Sequence, residues 1–243
     1  MEANNKAYDH IAGISRIDKI LAIPQSNYEE LDTLPSRDKL TFSNGFYANK
    51  TVAVFVDIRD SSSLPNTYMR PALARLYRAY ISEMVAILNS HEKAVEVNIV
   101  GDGVWAVFNA PYKEDINALF DIIATMNSLM RILNYKLEKA GYSTPIKAGI
   151  GASFGRALMI KAGLTGSGIN DVVYMGDVVN HAAKLASKGN NGYGAPPIFL
   201  SKGFVSNLKD EYQAYTSLDW PQECYTSSAI NITMNKWYEE NCQ

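Results

Sequence analysis

Two aspartates stand where apolar runs give way to turn-forming residues. Asp57 closes the run Thr51-Val-Ala-Val-Phe-Val-Asp57 and is followed by Ile58-Arg59-Asp60 and the hydroxyls Ser61, Ser62 and Ser63. Asp102 lies in Gly101-Asp102-Gly103, between two further apolar runs. A carboxylate at a strand end, beside a turn rich in backbone N–H groups, suits a divalent ion that is itself bound to phosphates. Two such carboxylates side by side could hold two ions about 3.5–4 Å apart, activating an attacking oxygen and neutralising a leaving pyrophosphate. Mn²⁺ and Mg²⁺ both suit a carboxylate-rich octahedral site. Each acid also has a plain structural meaning: Asp57 with its serines as a helix cap, Asp102 as a turn residue.

The elements that must position these acids follow from hydrophobic periodicity. Residues 7–23 carry a weak helical repeat (Ile11, Ile14, Ile17, Ile20, Leu21) that ends before Pro24, and residues 25–49 read as an irregular arm containing Phe42, Phe46 and Tyr47. A buried strand is predicted over 51–57 and a helix over 66–90 with an apolar stripe from Leu73 to Leu88. Residues 94–100 and 104–108 read as a hairpin with Asp102 at its tip. A second long helix over 113–140 stops at Gly141, and residues 145–154 and 157–162 read as another hairpin about Gly155. A strand over 171–175, a helix over 176–187 and a strand over 198–200 complete the pattern. The order strand, helix, strand, strand, helix, strand is that of a ferredoxin-like α+β fold, an antiparallel sheet covered by helices. In such a sheet the first strand lies beside the second and third, so Asp57 and Asp102 meet at one end. The chain divides into an N-terminal helix and arm over 1–50 and a catalytic domain with a C-terminal extension over 51–243.

The chain has 243 residues, 47% of them hydrophobic and 20% charged, which is enough to bury a core of ordinary globular type. A formal net charge of −2 gives no electrostatic footprint for nucleic acid. No apolar run is expected to approach the length of a bilayer span, and the start Met-Glu-Ala-Asn-Asn-Lys lacks a secretory pattern. Cys224 and Cys242 both lie near the C-terminus and cannot staple the core. A cytoplasmic protein without a membrane partner is the expectation.

Four segments in order, Phe-Val-Asp57-Ile-Arg, Ile-Val-Gly101-Asp102-Gly-Val-Trp-Ala-Val-Phe, Gly149-Ile-Gly-Ala-Ser-Phe-Gly155 and Met-Gly176-Asp177-Val-Val-Asn180-His-Ala-Ala-Lys184-Leu, resemble the class III nucleotidyl cyclases. The resemblance covers roughly residues 50–190. It implies a homodimer with shared active sites. One subunit brings the metal ligands, here Asp57, Asp102 and the backbone carbonyl of Ile58; the other brings Asn180 and Lys184. Residues at i and i+4 share a helix face, so an amide orienting the ribose and a cation at the α-phosphate can reach one ligand. The family usually has arginine where Lys184 stands, and a lysine lacks the bidentate fork. Backbone N–H groups of residues 59–63, with Arg59, Ser61 and Ser62 foremost, are expected to cradle the phosphates. Asp60 replaces the usual glycine and is expected to point outward and cap through the Ser62 or Ser63 amide.

The two positions that discriminate purines in the family fall on Asn98 and Val173, which match neither the Lys/Asp adenylyl pattern nor the Glu/Cys guanylyl pattern. Phe55, Val100 and Met175 are expected to line the base pocket, with Tyr47 as an extra wall for a smaller base. Residues 8–47 and the run Arg70-Pro-Ala-Leu-Ala-Arg-Leu-Tyr-Arg-Ala-Tyr80 resemble the pyrimidine nucleotide cyclases of bacterial antiphage signalling, whose product acts on a separate cyclic-nucleotide-binding effector. This resemblance, with the recast base pocket, makes UTP the expected substrate, with CTP next because the Asn98 amide both donates and accepts and leaves uracil and cytosine hard to separate, and a purine triphosphate after it. A catalytically silent nucleotide-binding dimer module is the rival from another class. A palm-type polymerase or diguanylate cyclase would not account for the segment ending in Asn180.

Overall fold

The computed structural model describes residues 2–242. In chain order its elements are α1 (His10–Leu21), β1 (Tyr28–Leu31), β2 (Gly45–Ile58), α2 (Leu64–Thr67), α3 (Arg70–Asn89), β3 (Ala94–Val100), β4 (Gly103–Asn109), α4 (Lys113–Lys139), β5 (Ala148–Gly163), β6 (Asn170–Met175), α5 (Asp177–Ala186), β7 (Ile198–Leu200), α6 (Lys202–Ser206), α7 (Asp210–Gln213), β8 (Ser217–Asp219), β9 (Cys224–Ser227) and α8 (Ile232–Asn241). Nine strands form one sheet in the order β3-β4-β2-β5-β7-β9-β8, with β1 on β2 and β6 on β5. The pairs are antiparallel except β1 with β2 and β5 with β7, so the expected antiparallel sheet is a mixed one.

Alternation along β2 sends its residues to two cores. Val52, Val54, Val56 and Ile58 join Leu76, Tyr80, Met84 and Leu88 of α3 and Ile116, Leu119, Ile123 and Met126 of α4 in the larger one. Ala53 and Phe55 face the other way, into a cluster with Val178, Val179 and Ala182 of α5. Each large apolar side chain so buried contributes roughly 1.5–3 kcal/mol. The outcome is a sheet clamped between α3/α4 and α5, with Asp57 near the end of β2 and Asp102 in the β3–β4 turn.

Three expectations change. The arm over 25–49 is not irregular throughout: β1 pairs with the first four residues of β2, which begins at Gly45 and runs through the boundary expected at residue 50. β5 is one strand of 16 residues, not a hairpin about Gly155; Gly155 pairs with Thr51 where a bulge bends β2 between Ala48 and Thr51. α4 is long and apolar enough to cross a membrane by length and composition, with a mean hydropathy of 1.3 over its best window, contrary to the expectation of no such run. That window is 61% buried inside the molecule, as a core helix requires. The repeat of α1 does form a helix, capped by the Asp9 carboxylate through the Ile11 and Ala12 amides, but Ile11, Ile14, Ile17 and Ile20 lie exposed.

Candidate active site

Asp57 is the penultimate residue of β2, and Asp102 sits in the tight turn between β3 and β4, where Val100 pairs with Gly103 and Val56 with Val104. The two carboxyl groups lie within hydrogen-bond reach of each other. Burial first, and the Asp102 charge second, hold the Asp57 carboxyl above its ordinary value. Asp102 Oδ2 is buried and has no hydrogen-bond partner. A β-carbon at Gly103 would come within 3.4 Å of Asp57 Oδ1, so a side chain there would crowd the acids. On the other flank Arg59, whose side chain is only 15% exposed, sets Nη2 at 3.0 Å from Asp57 Oδ2 and donates from Nη1 to the Ser187 carbonyl at 2.9 Å.

Two facing carboxylates with an unserved oxygen favour a cation. Among the described residues no three His, Cys, Asp or Glu side chains group to hold a metal, so the acidic side chains available at this end of the sheet are the two carboxylates. That set fits a divalent ion that brings phosphate oxygens with it, and not a permanently caged one.

The phosphate-side turn is narrower than expected. The Arg59 N–H donates to Lys147 O at 2.7 Å and the Ser63 N–H to Asp60 O at 2.9 Å, so residues 60–62 are the part of the stretch able to turn amides outward. Asp60 adopts φ 54°, the left-handed region that favours glycine and that Asp tolerates better than most. Its side chain is exposed, as expected, but it caps nothing: its backbone carbonyl accepts from the Ser63 amide and, at 2.7 Å, from Ser63 Oγ. Ser61 is half-buried and Ser62 exposed.

Beside the acids lies a cavity of about 270 Å³ lined by Phe55, Asp57, Val100 and Trp105 of the sheet, by Ala183 of α5 and by Ser187 just past its end. Phe55 and Trp105 stack at 5.1 Å with their planes 2° apart. Asn98, opposite Trp105 in the β3–β4 ladder, has a buried Nδ2 without a partner.

The remaining expected residues gather elsewhere. Across three strands Tyr47 pairs with Leu158 and Leu158 with Met175, while Val173 pairs with Ile160 two residues along. Tyr47 and Met175 are each 39% exposed. Tyr47 is ten residues up β2 from Asp57, beyond the bulge between Ala48 and Thr51. Asn180 and Lys184 follow on the solvent face of α5, whose other face buries Val178, Val179, Ala182, Leu185 and Ala186. A single copy therefore keeps Asn180 and Lys184 out of the cavity beside its own acids.

The adenylate and guanylate cyclase catalytic domain model matches residues 47–218. The chain belongs to this family of cyclases. A uridylate cyclase of Gulbenkiania mobilis is 39% identical over 259 aligned positions, covering 99% of this chain and all of that one. A uridylate cyclase of Treponema porcinum is 37% identical, covering 96% and 83%. Among solved structures, the adenylyl cyclase CyaB from P. aeruginosa shares the fold at a TM-score of 0.58 and 23% identity, over 70% of this chain and 84% of that one.

Several residues of this cyclase site escape sequence reasoning. Tyr77 and Tyr80 of α3 read as an apolar stripe, yet burial first and the two acid charges next raise both hydroxyls' pKa, and Tyr80 Oη is buried without a partner. The Ser187 carbonyl that receives Arg59 has no sequence signal at all. Trp105 has one, an aromatic within the apolar run over 104–108, and in the fold it pairs with Phe55.

Proposed function

We propose that the chain is a uridylate cyclase, converting UTP to 3′,5′-cyclic UMP and pyrophosphate. The observation that carries the reading is its likeness, over 96–99% of its length, to two uridylate cyclases. Asn98 supports it: a buried amide donor without a partner, with an acceptor on the same group, can read a pyrimidine edge.

In this reaction the ribose 3′-oxygen forms a bond to the α-phosphorus as the bond from that phosphorus to the bridging oxygen breaks. Asp57, Asp102 and the Ile58 carbonyl would hold two divalent ions, Mn²⁺ or Mg²⁺. Bound there, such ions supply charge neutralisation at the triphosphate and acidify the attacking hydroxyl. Arg59 orients the Asp57 carboxylate toward the site through the 3.0 Å contact. The amides of residues 60–62 receive the phosphates. Phe55 and Val100 wall the cavity, and Tyr47, Val173 and Met175 extend the base side. Asn180 fixes the ribose and Lys184 meets charge growing on the α-phosphate.

The site is shared in a homodimer: Asn180 and Lys184 of one copy complete the acids of the other. Their solvent-facing position on α5 supports this arrangement. The product is a messenger for a separate effector in antiphage defence, as the resemblance of residues 8–47 and 70–80 implies. CTP is the second reading, because an amide can meet either pyrimidine. Incubation of the protein with Mn²⁺ and, separately, UTP, CTP, ATP and GTP tests it, with products identified by mass. Cyclic UMP from UTP is expected; a cyclic product from CTP alone reverses the base, and one from ATP or GTP alone overturns the pocket.

A further inference from the structure

β3 and β6 are not neighbours in the sheet: β4, β2 and β5 lie between them. They are nevertheless tied together directly. The Tyr174 hydroxyl of β6 donates to Glu96 Oε2 of β3 at 2.9 Å, and its ring meets Trp105 edge-on at 6.2 Å. Arg37, from the N-terminal arm, bridges the same two strands, with Nη1 at 3.0 Å from Glu96 Oε1 and Nη2 at 3.3 Å from Asp171 Oδ1. Tyr174 is 5% exposed and the Glu96 side chain 13%, so this is a half-buried polar network bounded by one exposed arginine.

Its position gives it a use. Glu96 and Asn98 are two apart on β3 and so share a face, and Tyr174 lies between Val173 and Met175 on β6. The network thus joins the strand carrying the orphaned Asn98 amide to the strand carrying the other two base-side residues. We propose that Arg37, Glu96 and Tyr174 act as a clamp that fixes the separation of β3 and β6 and thereby the size of nucleobase the site accepts. The three are positioning residues, and the arm, through Arg37, takes part in substrate choice. This inference rests on the proposed pyrimidine cyclase reading. Burial and the neighbouring Glu96 charge keep the Tyr174 hydroxyl protonated, so the donor is present at any working pH. The Arg37 side chain is itself exposed, so removing it should loosen the clamp without unfolding the chain.

The test compares Arg37→Ala, Arg37→Lys and Tyr174→Phe with wild type, measuring kcat and KM for UTP and ATP together with the melting temperature. The UTP-over-ATP ratio of kcat/KM should fall at least about fivefold in Arg37→Ala and Tyr174→Phe, mainly through a higher KM for UTP, with Arg37→Lys between. An unchanged ratio, or an equal loss for both nucleotides that follows a lowered melting temperature, overturns the clamp. Wild type that turns over ATP and not UTP overturns instead the reading beneath it.

Discussion

Asp102 brings a second carboxylate against Asp57, and the metal-free fold bears the cost. Folded Asp57 holds its proton above the ordinary 3.8, whereas the unfolded chain releases it there, so the folded state binds more protons between the two values. Stability conferred by that proton is therefore present at low pH and lost as pH rises through the window. Asp102→Asn removes the repulsion and offers Asp57 a donor. Metal-free Asp102→Asn should melt higher than wild type near neutral pH, the gap closing toward about pH 4, while the rise in melting temperature that Mn²⁺ gives wild type disappears. Differential scanning fluorimetry across pH with and without Mn²⁺ reads both; a variant that melts lower at neutral pH contradicts the repelling pair. At this scale the acids were legible because each ends an apolar run at a turn. The Arg59–Ser187 bond and the buried oxygen of Asp102 were not, because they arise only when α5 and the hairpin close on β2.

Gly149 and Gly151 show what the glycine-rich segment is for. A β-carbon at Gly151 would collide with the Ala186 amide and the Ala182 carbonyl, and one at Gly149 with the Ala186 carbonyl. The glycines are the seat on which α5 lies directly against β5. Gly155, by contrast, would meet only Val178 Cβ at 3.7 Å. Gly151→Ala should therefore lift α5, cost about 1–3 kcal/mol and lower cyclase activity, whereas Gly155→Ala is near neutral. Chemical denaturation with an activity assay distinguishes them; equal effects would contradict the seat. Glycine has two meanings in a strand, turn and close approach, and sequence alone chose the turn at Gly155. The long helices α3 and α4 were legible because their stripes repeat over many turns. The extra length of β2 and the pairing of β1 were not, because that contact is made across an interval of polar residues.

Over the whole molecule the expected site residues divide into two groups, the acids with Phe55, Arg59 and Val100 at one end of the sheet, and Tyr47, Met175, Asn180 and Lys184 on exposed faces. Two copies related by a twofold axis would bring each group to the other's complement, as an isologous interface does. Mixing Asp57→Ala with Asn180→Ala tests this most directly, with cyclic UMP formed from UTP as the readout. Each variant alone should be inactive. After subunit exchange about half the dimers are mixed and each holds one intact site, so roughly a quarter of wild-type activity should return. Two inactive variants that stay inactive when mixed, in a sample shown to exchange subunits, would contradict the shared site.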